Sequence, residues 1–527
     1  MAFGNEGKMI QQKPATGTTE KKPISKYLPT MFETQIPWWP FVLAGILLSI
    51  LLGAASSLGN ILPPSYVIAG VAGVLVTIII LQRPEIGAYI LIVSVYANIS
   101  DILTDRFLPS INRPLIAITL GSVIINYLLK SGRYTRFPTP GKLEWTLIAF
   151  YFAIITSVIA TPYKDNAFAI ILDITKDILV GVSIYITLNT EEHLKKGFQV
   201  LIVTIAVLSA MGVFKVLTGS DITFFDMARY SEFGQVSFGE LRYGGPIAEP
   251  NLWGQVLVSS LPFAVYFLKQ ERSGVRKAQY MIAFVLILLA LIYTGSRGAI
   301  VALVVITPLL AFDMKIKPVN ILLGALLFIS LLSILPDSYS RRFQTLNIFL
   351  NRDDETALNQ DESFVQREAV MVAGIEMFKA NPVFGVGFGN FGVRYWEYAT
   401  NLGLESSATD IDYEPDSRYA HSLYVEILSE TGLLGFLTFL LFFITLYAEI
   451  YGVRRKFDAY EIRTDWSSWA SALAMSVTTF LISGLFLHGI FFRYIWVLIG
   501  LCMAAVSIAN GAPLIKMTDF LNGARKK

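Results

Sequence analysis

Fourteen long apolar stretches dominate the sequence and limit its fold more than any other feature. A helix needs about 20 mostly apolar residues to cross the roughly 30 Å of bilayer hydrocarbon, because its backbone must satisfy its own hydrogen bonds there. The stretches predict an all-α protein, a polytopic transmembrane helical bundle. The candidate spans are 38–58, 65–81, 85–99, 111–129, 143–160, 167–188, 198–217, 250–268, 278–294, 299–313, 318–335, 431–451, 467–486 and 491–510.

Composition supports a membrane protein and excludes several other classes. Hydrophobic residues make up 54% of the chain and charged residues 16%, against about 45–50% and about 25% in soluble proteins. The net charge of +2 provides no broad basic surface, so no nucleic-acid partner is expected. The one cysteine, Cys502, lies in an apolar run, which excludes a disulfide framework and a cysteine metal site.

Basic residues between the spans predict the topology. The short loops 130–142, 269–277 and 452–465 are rich in Lys and Arg, and the positive-inside rule assigns them to the cytoplasm. An even number of spans then places both termini in the cytoplasm. The predicted regions are a polar tail (1–37), a first part of the bundle (38–335), a long external loop (336–422), a last part of the bundle (423–510) and a second tail (511–527).

The external loop 336–422 is too long for a structureless connection and is predicted to be functional. Within it, apolar residues at 364, 371, 375 and 378 indicate an amphipathic helix that ends before Pro382. The run Gly387–Gly392 matches the dinucleotide fingerprint by letters, but it lacks the strand-then-helix setting that this chemistry requires.

Arginine side chains on the external side are candidate anion ligands. Arg297 sits in the tight turn Gly295–Gly298 between two spans, where it has little freedom to reach bulk water. Its planar guanidinium suits phosphate, because it donates two parallel hydrogen bonds and stays protonated. Snorkelling to lipid headgroups is the alternative interpretation. The other external arginines are Arg242, Arg367, Arg394 and Arg418.

His421 stands where the polar loop meets the next apolar run. A neutral imidazole there can accept a proton from a sugar hydroxyl, which is the usual role of a general base. A hydrogen-bonded structural histidine is the alternative.

Two acidic features each allow two interpretations. Asp410 and Asp412 belong to a loop that either ligates a divalent cation or is simply solvated. Asp173, Lys176 and Asp177 fall within a predicted span, where charge is costly. Asp173 and Lys176 are three residues apart on a helix, so they either neutralise each other or belong to a proton or ion pathway.

Three segments, in order, resemble the O-antigen ligase and polysaccharide polymerase superfamily. They are YTGSRGAIVALVV (293–305), REAVMVAGIEMFKANPVFGVGFGNFG (367–392) and HSLYVEILSETGLLGFLTFLLFF (421–443), and RYGGPIAEPNLWG (242–254) is a looser match. The chain departs from the pattern by having Ser422 where Asn commonly follows the histidine, and by having more spans than is usual.

The resemblance implies a glycosyltransferase of the glycosyltransferase-C-like type in the bacterial inner membrane, with its active site facing the periplasm. The donor would be a glycan on undecaprenyl pyrophosphate, and the acceptor a sugar hydroxyl on lipid A–core or on a lipid-linked repeat. Arg297 and Arg242 would bind the pyrophosphate, with Arg367 as a third cation, and His421 would deprotonate the acceptor with inversion. Neither a metal nor another cofactor is implied. Arg394, Arg418 and Asn251 would add glycan contacts.

Two alternatives stay open at this stage. Polymerase and ligase share these motifs, so the acceptor is undecided. A transporter of bicarbonate-like solutes from the same superfamily would instead use the intramembrane charges Asp173, Lys176 and Lys215.

Overall fold

The computed structural model describes residues 64–106, 110–129, 140–162, 164, 167–231, 242–333, 362–403, 419–458, 464–487 and 493–511. These residues form sixteen helices and one antiparallel pair of short strands. The helices are α1 (Pro64–Gln82), α2 (Pro84–Tyr96), α3 (Ile99–Asp105), α4 (Asn112–Leu128), α5 (Lys142–Ala160), α6 (Ala167–Thr187), α7 (Glu191–Thr218), α8 (Pro250–Gln270), α9 (Gly274–Thr294), α10 (Arg297–Asp313), α11 (Pro318–Ser333), α12 (Glu362–Ala380), α13 (Phe391–Asn401), α14 (Leu423–Asp458), α15 (Thr464–Ser483) and α16 (Arg493–Gly511); the strands are β1 (Arg229–Tyr230) and β2 (Tyr243–Gly245).

Six of these helices are long and apolar enough to cross a membrane: α5, α7, α8, α9, α14 and α16. The α2–α3 pair, bent by 59°, is a seventh if the two helices form one broken span. Each predicted span from 65–81 to 491–510 falls on a helix, so the all-α membrane protein is confirmed. The number of fourteen and the position of the termini stay predictions. The span 38–58, the first tail and most of the second tail lie outside the described residues.

Helix α8 lies at the centre of the bundle, where it packs on α9 and α15, and its Trp253, Phe263 and Tyr266 are fully buried. Helices α6 and α16 approach each other closely because both carry a glycine at the contact. A side chain at Gly500 would lie 2.5 Å from the carbonyl oxygen of Gly181. Small residues at such contacts let membrane helices pack backbone to backbone.

Helix α14 reverses direction at Gly432, whose backbone is non-helical (φ 62°, ψ −164°). The rings of Tyr424 and Phe439 lie 6.3 Å apart, whereas 15 residues of straight helix would separate them by about 22 Å. The Tyr424 hydroxyl also donates to the carbonyl of Leu481 at the end of α15, over 2.9 Å. The first leg (423–431) therefore folds back along the second leg (433–458).

Helix α12 is the helix expected before Pro382, but the predicted apolar stripe is not its protein-facing side. Val370, Ala373 and Met377 are buried, whereas Ile375 of the predicted stripe is 42% exposed. The face that packs on the first leg carries small residues, since a side chain at Gly374 would come within 2.6 Å of the Val425 side chain. Close packing of two helices depends on residue size as well as on hydrophobicity, so the apolar pattern alone does not identify this face.

The glycine-rich turn (382–390) replaces the hydrogen bonds that the break in α14 removes. In a continuous helix, Leu433 would donate to Ser429. Instead, Leu433 donates to the carbonyl of Pro382 (2.8 Å), and Val386 donates to Ser429 (2.9 Å). Gly385 has φ +71°, and a Cβ there would overlap the backbone of Glu430. Helix α12 precedes this turn, so the described segment lacks the strand that a dinucleotide site requires.

Candidate functional site

Arg297 is the first residue of α10, and its position follows from the turn before it. Gly295 takes a left-handed conformation (φ 58°) and ends α9, a role for which glycine is suited. The Ser296 side chain caps α10 by accepting a hydrogen bond from the amide of Ala299. Arg297 is half-buried at this helix start.

Arg242 is held by two side-chain hydrogen bonds, one of them to the same turn. Its Nε donates to the carbonyl of Thr294 over 2.9 Å, and its Nη2 donates to Oδ1 of Asn251 over 2.9 Å. Thr294 is three residues before Arg297, so the guanidinium of Arg242 lies against the turn that leads into Arg297. A guanidinium held in place beside a second, half-buried arginine favours an anionic ligand.

Glu249, which is not among the predicted site residues, completes this arrangement. Its Oε1 accepts a hydrogen bond from Nδ2 of Asn251 over 3.0 Å, and its Oε2 accepts one from the amide of Leu252 over 2.6 Å. Asn251, predicted as a glycan contact, is thus held between Glu249 and Arg242. An acidic residue directly before Pro250 is typical of a helix start and was the available signal.

His421 lies two residues before the first leg, half-buried and in a left-handed conformation (φ 49°). The amide of Leu423 is within 2.8 Å of the carbonyl oxygens of both Gly484 and Leu487. A side chain at Gly298 would lie 3.1 Å from Cβ of Phe486. The turn 484–487 therefore contacts the residue after Arg297 and the residue two after His421. The structure brings these two predicted site residues to one end of the bundle.

Arg367 lies towards the His421 end of the first leg. Gly374 packs on Val425, and Pro382 bonds to Leu433, so α12 and the first leg run in the same direction. Val370 shares a hydrophobic cluster with Ala420, and Arg367 is one helical turn before Val370.

The remaining predicted contacts have other surroundings or are not described. Arg394 forms an ion pair with Glu397 of its own helix α13, with Nη1 3.0 Å from Oε2. Arg418, Asp410 and Asp412 lie outside the described residues.

Two buried carboxylates on the first leg were also missed. Glu430 accepts a hydrogen bond from the amide of Phe391 over 3.0 Å, so it caps α13, where a negative charge is favourable. Glu426 lies one turn earlier and is 1% exposed. Among the described residues, neither of its carboxylate oxygens has a hydrogen-bond partner. Acidic residues four apart at the start of an apolar run were the signal for this pair.

The charges within the predicted spans are partnered. Lys176 and Asp173 form an ion pair of 2.7 Å, as mutual neutralisation predicts. Asp177 lies 3.8 Å from Nε of Arg493, and Lys215 donates to a backbone carbonyl over 2.9 Å. The transporter interpretation depended on these charges and gains no support from their contacts. The described residues contain no group of three or more His, Cys, Asp or Glu side chains arranged to hold a metal ion.

Fold and site together define a polytopic, all-helical membrane protein with arginines and a histidine gathered at one end of its bundle. A family model described as O-antigen ligase matches residues 282–440. This match covers a little under a third of the chain and supports its similarity to the O-antigen ligase and polymerase superfamily. The match includes Arg297, Arg367 and His421 but not Arg242. No curated protein sequence matches the chain.

Proposed function

We propose that this protein is an inner-membrane glycosyltransferase that moves a glycan from a polyprenyl pyrophosphate, undecaprenyl pyrophosphate in bacteria, to a sugar hydroxyl at the external face. The acceptor oxygen attacks the anomeric carbon, and the bond between that carbon and the phosphate oxygen breaks. The diphosphate leaves with the bonding electron pair, and the hydroxyl proton passes to His421. Attack opposite to the leaving group inverts the anomeric centre.

Arg297 and Arg242 stabilise the leaving diphosphate. Negative charge grows on it as the bond breaks, and donors held in place before the reaction lower the barrier. The hydrogen bonds of Arg242 to Thr294 and Asn251 hold its guanidinium in place. Arg367 is the third cation, on the His421 side. These cations take the part that a divalent metal plays in other glycosyl transfers, so the reaction is metal-independent.

One observation carries the proposal: the turn 484–487 contacts both Gly298 and Leu423. The base His421 and the diphosphate ligands Arg297 and Arg242 must all reach the same donor sugar. This requires that the segments carrying them be neighbours. Both termini are cytoplasmic in this proposal, with the site facing the periplasm.

The substitution His421→Asn in the purified full-length protein tests the reaction. Asn tolerates a left-handed backbone, so this change removes the imidazole with little effect on the turn. Glycan transfer should fall about 10²–10⁴-fold, the usual contribution of a general base, while binding of the lipid-linked donor is kept. His193→Asn, at the other end of the bundle on α7, is the matched control. Unchanged transfer by His421→Asn would remove His421 from the mechanism.

Gene deletion distinguishes the two acceptors. A polymerase defect leaves single repeat units on the surface, whereas a ligase defect leaves full-length glycan that is not attached to the core. The predicted span count, which is above the usual one, slightly favours polymerase in this proposal.

A further inference from the structure

The backbone carbonyl of Pro246 receives two side-chain hydrogen bonds from distant parts of the chain. Nδ2 of Asn98 donates to it over 3.2 Å, and Nη2 of Arg229 donates to it over 2.7 Å. Pro246 is buried and lies in the middle of the arginine loop (242–251), which begins at Arg242. The two donors therefore hold the tip of the loop that carries Arg242.

The arginine loop is compact, so its tip and its base are mechanically linked. The base is closed by the hydrogen bond from Arg242 to Asn251, over 2.9 Å. Between base and tip the two arms touch through their backbones, because a Cβ at Gly244 would lie 2.5 Å from the carbonyl carbon of Ala248. Close-packed segments transmit a displacement instead of absorbing it. A shift of Pro246 is therefore passed on to Arg242.

Asn98 lies at the break between α2 and α3, where the chain bends by 59°. It takes a left-handed conformation (φ 52°), which asparagine tolerates better than most residues do. The residue is also buried, and a buried side-chain amide requires a hydrogen-bond partner. The carbonyl of Pro246 accepts from its Nδ2, so the break supplies the arginine loop with a donor that is fixed in position.

Helix α3, which follows the break, is tied to the rest of the bundle by ion pairs. Asp101 pairs with Arg493 at the start of α16, with 3.0 Å between Oδ1 and Nη1. Asp105 pairs with Arg229, with 3.7 Å between Oδ2 and Nη1, and Arg229 is the second donor to Pro246. Helix α3 thus connects α16 with the tip of the arginine loop.

We infer that α3 is a bracket that positions Arg242, with Asn98 and Arg229 as its positioning residues. Neither side chain touches the substrate, since each acts through the carbonyl of Pro246 and the compact loop. The inference rests on the proposed role of Arg242 at the diphosphate. It adds that the break between α2 and α3, distant from Arg242 in sequence, sets the alignment of that guanidinium.

The substitution Asn98→Gly in the full-length protein tests the bracket. Glycine keeps the left-handed backbone and removes the donor. Hydrogen exchange at residues 247–249 should become several-fold faster, and kcat/KM for glycan transfer should fall about 2- to 10-fold, the range expected for one hydrogen bond. Lys315→Gly is the matched control, because Lys315 has the same φ of 52° at the end of α10 opposite to Arg297. Neither measurement should change in the control.

A double-mutant cycle with Arg242→Gln separates positioning from a general structural role. If Asn98 acts through Arg242, Asn98→Gly should cause no further loss of transfer in the Arg242→Gln protein. An equal loss in both backgrounds would overturn the inference, and so would unchanged exchange or unchanged transfer in Asn98→Gly alone. Arg229→Met removes the other donor to Pro246 and takes the place of Asn98→Gly if that variant does not fold.

Failure of the proposed function would give a different result. Full transfer by Arg242→Gln alone would remove Arg242 from the proposed reaction. Exchange at residues 247–249 would then decide by itself whether α3 holds the loop. Faster exchange in Asn98→Gly would support the bracket, and unchanged exchange would overturn it.

Discussion

The two sides of the candidate site are held by different kinds of interaction. On the arginine side (residues 242–251 and 294–297), side chains hold side chains, as in the chain of hydrogen bonds from Glu249 through Asn251 to Arg242. On the histidine side (residues 382–390 and 421–432), backbone holds backbone. There the amide of Val386 donates to the carbonyl of Ser429, and the amide of Leu433 donates to the carbonyl of Pro382. Gly385 and Gly432 take left-handed conformations.

This difference predicts how each side responds to substitution. On the histidine side, backbone hydrogen bonds join segments that leave no room for a new side chain. Substitutions there should therefore lower the stability of the folded protein. A hydrogen-bonded chain of side chains can lose one member and stay folded, so changes on the arginine side should cost activity. The comparison is wrong if both sides lose stability equally.

The largest effect should come from Gly385→Ala. The new Cβ would overlap the backbone of Glu430, and a left-handed backbone disfavours alanine as well. Together these terms should destabilise the protein by about 2–5 kcal/mol, which thermal unfolding of the detergent-solubilised protein would measure as a large fall in Tm.

Gly403→Ala is the matched control for that experiment. Gly403 has φ +69°, but nothing lies within 4 Å of the position that a Cβ would take. Its cost should be only the conformational term of about 1–2 kcal/mol. Equal losses of Tm for both variants would show that close approach at Gly385 is unimportant and would break the comparison.

The sequence revealed the helices but not the reversal at Gly432. Apolar length is a local property, so hydropathy located the spans, and the predicted span 431–451 even starts beside the break. A long apolar run follows Gly432, and glycine is common in membrane helices. The partner that stabilises the reversal, the turn 382–390, is distant in sequence. No local pattern encodes that contact.

The same limit applies to the site. Arg297 and His421 were selected because isolated charged or titratable residues beside apolar runs are conspicuous. Their supporting residues were not: Glu249 looks like an ordinary helix cap until its second oxygen is seen to hold Asn251. Glu426 and Glu430 look like surface acids until the first leg folds back and buries them. Tertiary contacts create those roles.

A smaller effect, on activity alone, is expected for Glu249→Gln. The glutamine oxygen can still cap α8 at Leu252, but its amide nitrogen would face Nδ2 of Asn251, donor against donor. Asn251 would then turn, and Arg242 would lose an aligned partner. Transfer should fall about tenfold in kcat/KM, equivalent to about 1.4 kcal/mol, with little change in Tm.

Thr190→Ala controls for the loss of a helix cap. Thr190 caps α7 at the opposite end of the bundle, accepting from the amide of His193 over 3.2 Å. That change should lower stability by about 1 kcal/mol without affecting transfer. If Glu249→Gln lowered Tm and left kcat/KM unchanged, Glu249 would be only a cap, and the arginine side would resemble the histidine side.

The smallest effect should be a pH dependence of the segment that leads into the arginine side. The segment before β1 docks on α3 through the ion pair of Arg106 with Asp226, and β1 pairs with β2 directly after Arg242. The hydrogen bond from Arg106 lowers the pKa of Asp226 below its ordinary value of 3.8. Because the folded pKa is the lower one, this stabilisation is fully present above about pH 4 and is lost as the pH falls through the folded pKa.

Hydrogen exchange at pH 6 and pH 3.5 measures this difference, with residues 221–231 compared with the first leg, which serves as an internal reference for the intrinsic rate. Protection of 221–231 should fall a few-fold relative to the first leg at the lower pH. Asp226→Asn should show the same loss already at pH 6. The effect is small because both side chains of the pair are partly exposed and such pairs contribute about 0–1 kcal/mol. A parallel loss of protection in the first leg, which carries the buried carboxyl groups of Glu426 and Glu430, would mean that charge also holds the histidine side.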